Sequence, residues 1–176
     1  MNASLIDDDH GTFSFRFWVL LLIASILMLT GCKVEYDKKY RVTNSSMAPT
    51  LVPGDSVLAK PFDAGSSLNR FQLVVVSPQI YGEQQVYIKR VIGLPGEDIL
   101  IETNSLVING KVYMQIALPE ALRNQAWFDS RNSIRYHLQG DEIFVIGDNL
   151  RIVNDSRSWG PLRLKFVVGV VRDVQH

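Results

Sequence analysis

The sequence predicts a mainly β protein, in which an N-terminal membrane helix is followed by an antiparallel β domain with a small insertion. Three observations carry this. Residues 17–32 hold no charge, several short β-branched runs follow, and turn signals rich in Gly and Pro punctuate those runs. Many short strands with few helical candidates imply one β-rich core.

The apolar run FWVLLLIASILMLTGC occupies residues 17–32 after a tail at 1–16. It has no polar stripe at helical spacing and so no solvent face, which argues against the plainer reading of a buried core helix. Adding Thr12 to Phe15 and letting Arg16 snorkel brings it to about twenty residues, enough to span a bilayer. Two readings stay open, a retained signal-anchor and a cleaved lipoprotein-type signal. The second rests on Leu29-Thr30-Gly31-Cys32, which makes Cys32 a candidate lipidation site. Either one tethers the following domain to a lipid bilayer. Lys33, Lys38, Lys39 and Arg41 follow the run, while Asp7, Asp8 and Asp9 precede it, so charge bias alone puts the domain in the cytoplasm.

Residues 33–42 read as a polar juxtamembrane connector, and residues 43–176 as the β domain. Ser56 to Ala59 is a strand after the turn Pro53-Gly54-Asp55. Phe71 to Val76 is a continuous apolar run that suits a strand buried on both faces. Gln85 to Ile92 is a strand ended by Gly93-Leu94-Pro95-Gly96. Asp98 to Glu102 and Ser105 to Ile108 are short strands, and Asn109-Gly110 predicts a tight hairpin into Lys111 to Met114. Residues 113–140 are the least regular and form the candidate insertion, with one helical candidate at Pro119 to Trp127. Glu142 to Ile146 and Phe166 to Val171 complete the strands.

Composition removes several function classes. Net charge is zero and no basic run is interleaved with aromatics, so no nucleic-acid partner is expected. A single cysteine excludes an intramolecular disulfide and a multi-cysteine metal site. His10, His137 and His176 are far apart in sequence and support neither a metal site nor a serine–histidine triad. No cofactor and no metal are expected.

The chemistry lies elsewhere. A serine hydroxyl needs a neighbouring base, and a lysine amine can be that base only when neutral. Burial drives it towards neutrality. Ser46 sits in Asn44-Ser45-Ser46-Met47-Ala48-Pro49-Thr50-Leu51, and Lys89 lies in an apolar strand among Val86, Ile88, Val91 and Ile92. Each residue alone has an ordinary reading, as a turn hydroxyl or an edge-strand lysine.

Four ordered blocks carry a stronger signal. They are Ser46-Met47-Ala48-Pro49-Thr50-Leu51 with Gly54-Asp55; Arg70 to Val76; Tyr87-Ile88-Lys89-Arg90-Val91-Ile92-Gly93-Leu94-Pro95-Gly96; and Gly147-Asp148-Asn149 with Asp155-Ser156-Arg157-Ser158-Trp159-Gly160. In these blocks the chain resembles the bacterial type I signal peptidases, membrane-bound serine–lysine proteases of secretion. The resemblance implies a signal-peptidase-like β fold, Ser46 as nucleophile and Lys89 as general base. It implies an oxyanion hole from the Ser46 N–H and a helper two residues earlier, here Asn44. It also implies bracing by Arg90, Asp148, Asp155, Ser156 and Arg157. The family usually has a serine at the position of Val153, where a hydroxyl orients the lysine; valine leaves that task to Ser156, a backbone carbonyl or water.

The resemblance further implies signal peptides of exported preproteins as substrates, with small residues in an Ala-x-Ala pattern before the cut. It places the enzyme in the bacterial inner membrane with its catalytic domain on the extracytoplasmic face, against the charge bias. Two other classes are weighed beside it. One is a self-cleaving serine–lysine domain like those of SOS repressors, which the apolar N-terminus opposes. The other is a catalytically weak or inactive lipid-anchored signal-peptidase-like binding protein, which Val153 and Cys32 favour.

Overall fold

The computed structural model describes Trp18, residues 36–63, 65–80, 82–102, 105–113 and 133–176. Contacts divide the chain into Met1–Val34 and Glu35–His176. In the first unit Trp18 is exposed. Apart from Trp18, the hydrophobic segment, with Cys32, and the helical candidate at 119–127 lie outside the described residues. Among the described residues no helix is long and apolar enough to cross a membrane.

The second unit is mainly β, and among the described residues every strand pairing is antiparallel. Its strands are β1 (Lys38–Arg41), β2 (Ser56–Pro61), β3 (Leu73–Val76), β4 (Gln79–Ile80), β5 (Glu83–Gln84), β6 (Tyr87–Gly93) and β7 (Asp98–Ile101). They continue with β8 (Leu106–Ile108), β9 (Lys111–Tyr113), β10 (Ile134–His137), β11 (Glu142–Ile146), β12 (Leu162–Arg163) and β13 (Val167–Gln175). Among the described residues of this unit, a short helix, α1 (Ser156–Trp159), and a 3-10 turn, Leu164–Phe166, stand between strands.

Seven strands form one sheet in the order β1-β2-β13-β3-β6-β11-β12. The central place of β3 explains its unbroken valine run: Val74 and Val76 enter one core cluster and Val75 another, so both faces are buried. A second sheet, β10-β7-β8-β9, packs its Ile99, Ile101, Leu106 and Ile108 with Ile92, Phe144 and Ile146 of the first. The hairpin at Asn109-Gly110 has positive φ at both residues (51° and 75°), which a two-residue turn of this hand requires.

Three elements differ from the sequence reading. Lys38–Arg41, within the expected connector, is strand β1 and pairs with β2 from Lys38↔Ala59 to Arg41↔Ser56. Its partly buried Tyr40 packs against the Val57–Ala59 core, an anchor that local polarity did not reveal. Phe71 is not strand but a turn residue at φ 67°, and its ring packs against Tyr113, with centroids 6.1 Å apart. Strand β10 lies inside the expected insertion, because Ile134–His137 pairs with β7.

Candidate active site

Strand β6 delivers two cations. Alternation sends Lys89 and Arg90 to opposite faces of the strand. Lys89 is 1% exposed, and its Nζ donates to Ser46 Oγ at 3.1 Å. Ser46 is 7% exposed and sits in the turn after β1. A side chain as polar as lysine is rarely buried this far. Burial is the main reason its ammonium drops from the ordinary 10.5 to about 8. The Asp155 carboxylate pulls in the other direction, Arg157 adds to the drop, and Asp148 opposes it. The neutral amine, the form able to take a proton from serine, is thereby brought within reach of ordinary pH.

Glycine at 147 permits this approach. A Cβ there would lie 2.5 Å from the Ser46 carbonyl oxygen and 3.4 Å from Lys89 Nζ. The Gly147 N–H donates to Asp155 Oδ2 at 3.0 Å, and the Asn149 N–H donates to the Ser46 carbonyl at 3.0 Å. The serine turn and the β11–α1 loop are thus bonded directly. Asn149 Nδ2 adds a bond to the Ser45 carbonyl at 3.2 Å.

Two ion pairs brace the loop. Arg157 meets Asp155 through Nε–Oδ1 at 2.9 Å and NH2–Oδ2 at 2.7 Å, with both side chains fully buried. Its guanidinium also donates to the Leu150 and Ile152 carbonyls at 2.7 and 3.0 Å, so one side chain holds the loop's backbone. Arg90 meets Asp148 through Nε–Oδ1 at 2.7 Å and NH2–Oδ2 at 2.5 Å, and it donates to the Phe71 carbonyl at 2.7 Å. Paired forks of this kind satisfy the buried charges and fix direction.

All the site residues expected from sequence, apart from Cys32, fall within this region, in varied arrangements. Ser156 is buried, but its Oγ accepts from the Val145 N–H at 3.0 Å, a structural bond between α1 and β11. Val153 is exposed. Asn44 acts here as an acceptor: its Oδ1 takes the Ser46 N–H at 3.0 Å, an Asx-type turn. That bond occupies the backbone donor expected to serve an oxyanion. Sequence reasoning gave no role to Thr50, whose Oγ1 donates to Asp148 Oδ2 at 2.5 Å, nor to Asn149 or Gly147. All three lie in the quoted blocks, but only their convergence in space shows what they do.

A cleft of about 260 Å³ leads to Ser46, lined by Tyr40–Asn44 on one side and Val86, Tyr87 and Ile88 on the other, with Met47 between them. β1 and β6 both border it although three strands separate them in the sheet, so the sheet curls. β1 ends the sheet, and β6 has lost β11 by Tyr87–Lys89, since that pairing begins at Arg90. The cleft therefore lies between two strand edges. Among the described residues no cluster of His, Cys, Asp and Glu could hold a metal ion.

The chain is similar to several known proteins. A signal peptidase I from Enterococcus faecalis V583 superposes with a TM-score of 0.49 at 23% identity, over 61% of this chain and 98% of that one. Signal peptidase I V of Bacillus subtilis (strain 168) is 32% identical over 91% of this chain and 98% of its own length. Signal peptidase I of Bacillus caldolyticus is 31% identical over 84% of each chain. Residues 14–174 match the family described as signal peptidase, peptidase S26. With this match and these relatives over nearly its whole length, the chain belongs to the signal peptidase family, peptidase S26.

Proposed function

We propose that this protein is a membrane-tethered serine endopeptidase that removes signal peptides from exported preproteins through a Ser46–Lys89 dyad. The observation that carries the reading is the 3.1 Å bond between the Lys89 Nζ and the Ser46 Oγ, at a buried lysine held near 8. Neutral Lys89 takes the Ser46 proton as Oγ attacks the scissile carbonyl. It then gives that proton to the leaving amine, and an ester to Ser46 remains. Water, deprotonated by the same amine, hydrolyses the ester and restores the serine.

The Ser46 N–H and Asn44 Nδ2 receive the developing oxyanion. For this the Asn44 carboxamide turns, withdrawing Oδ1 from the N–H and offering its amide hydrogens. The substrate adds as an extended strand between the free edges of β1 and β6, where main-chain bonds align it. Half of its side chains then turn into the narrow cleft walled by Tyr40, Val42, Met47 and Ile88, which suits small residues first and third before the cut. The apolar segment 17–32 tethers the domain on the extracytoplasmic face of the bacterial inner membrane.

The test is cleavage of a purified preprotein in detergent or vesicles by wild type, Ser46→Ala and Lys89→Ala, with the new N-terminus read by mass spectrometry. Wild type is expected to release one mature product and both variants none. Inactivity of the wild type, or full activity of either variant, favours the rival reading of a non-catalytic binding protein. Intact mass of the membrane form separates a retained segment 17–32 from lipidation at Cys32.

A further inference from the structure

Among the described residues, Arg41 is the only formally charged one lining the cleft that leads to Ser46. Its neighbours Tyr40 and Val42 turn inward, half-buried and buried, to the core beneath the cleft. Arg41 between them is exposed, as alternation along an edge strand requires. It takes part in none of the ion pairs among the described residues. Lys39, two residues back and on the same face, donates to Gln175 and adds a second positive charge nearby. Among the described residues no carboxylate lines the cleft itself, and the nearest in sequence, exposed Asp37, stands two residues beyond Lys39.

A peptide added as a strand beside β1 alternates in the same way. Residues that enter the cleft lie beside Tyr40 and Val42, and the residues between them lie on the outer face with Arg41. We infer that Arg41 is a specificity-determining residue that favours substrates carrying Asp or Glu at the outward positions, the second or fourth residue before the cut. This rests on the strand-addition reading above and adds the class of side chain preferred there. The anionic side chains an unmodified polypeptide presents at those positions are carboxylates, and a guanidinium fork donates to them in paired bonds. The chain's net charge is zero, so any such preference is local to this edge.

The experiment uses the full chain in mixed micelles and peptides that differ only at position −2 or −4, bearing Gln, Glu or Lys. Enzymes are wild type, Arg41→Gln and Arg41→Glu, and kcat/KM is measured at low and high salt. At one of the two positions wild type is expected to prefer the Glu peptide over the Lys peptide roughly five-fold, the scale of an exposed ion pair gained against one repelled. Arg41→Gln weakens the preference to what Lys39 sustains, Arg41→Glu inverts it, and high salt collapses it. The Gln peptide sets each enzyme's own reference rate, against which its Glu and Lys rates are compared.

An equal rate on Glu and Lys peptides at both positions, or a preference that Arg41→Glu leaves unchanged, overturns the inference. Failure to cleave even the Gln peptide sinks the protease reading instead. In that case affinities of the Glu and Lys peptides for Ser46→Ala, with and without Arg41→Glu, decide the role of Arg41 without catalysis.

Discussion

Replacing Lys89 with methionine should make the protein inactive and more stable. The side chain keeps its length and buried stem but loses the amine. In the folded protein the ammonium drops from 10.5 to about 8, mainly through burial. Between those values the unfolded chain holds more protons than the folded one, so wild-type stability rises as pH climbs from about 8 to 10.5. Below about 8 the full cost is present. A drop from 10.5 to about 8 corresponds to about 3 kcal/mol, so Lys89→Met is expected to exceed wild type by about that much at pH 7. The midpoint in urea should move up by about 1–3 M. The advantage should shrink by about 1.4 kcal/mol per pH unit above 8 and vanish near 10.5.

The assay is urea unfolding of both proteins in detergent, followed by tryptophan fluorescence at pH 6 to 10.5, with peptide hydrolysis in parallel. Wild-type kcat/KM should rise about ten-fold from pH 7 to 9, as the neutral fraction of an amine near 8 grows. A variant no more stable than wild type at pH 7, with a parallel pH slope, would refute the buried-ammonium account. So would an activity profile that ignores pH between 7 and 9.

Other consequences are sharper in sign than in size. Asn44→Asp keeps an acceptor for the Ser46 N–H but loses the amide donor, so kcat should fall about 100-fold with KM little changed. Asn44→Ala also loses the donor but frees the N–H, and should fall less than Asn44→Asp; the reverse order in steady-state kinetics would remove the turning carboxamide. Gly147→Ala puts a methyl 2.5 Å from the Ser46 carbonyl, against backbone that cannot step aside. It should cost about 1–3 kcal/mol in denaturant unfolding and abolish cleavage. Arg157→Ala strands the fully buried Asp155 and should cost about 3–5 kcal/mol by the same measurement. Val153→Ser changes an exposed position, so stability should hold within about 0.5 kcal/mol and turnover should hold or rise; a clear fall would show that valine serves another arrangement.

The sequence by itself determined the local chemistry and most of the strands. The valines at the end of FQLVVV announced a doubly buried strand because continuous apolarity has no solvated face, and Asn109-Gly110 announced a hairpin because few pairs tolerate two positive φ angles. Ser46 and Lys89 stood out through their motifs. The tertiary structure decided what depends on groups distant along the chain. Tyr40 makes β1 a strand only because the β2 core is there to receive it. The same long-range packing explains Phe71, whose ring leaves the valine run to meet Tyr113. Gly147, Thr50 and Asn149 matter through close approach to Ser46 and Asp148, which no spacing along the chain encodes. Asn44 was legible as a donor by residue type, but the direction of its carboxamide, and so its role as acceptor, is set by the turn it closes. The lowered affinity of Lys89 for its proton is likewise a property of the fold, because desolvation requires neighbours on every side.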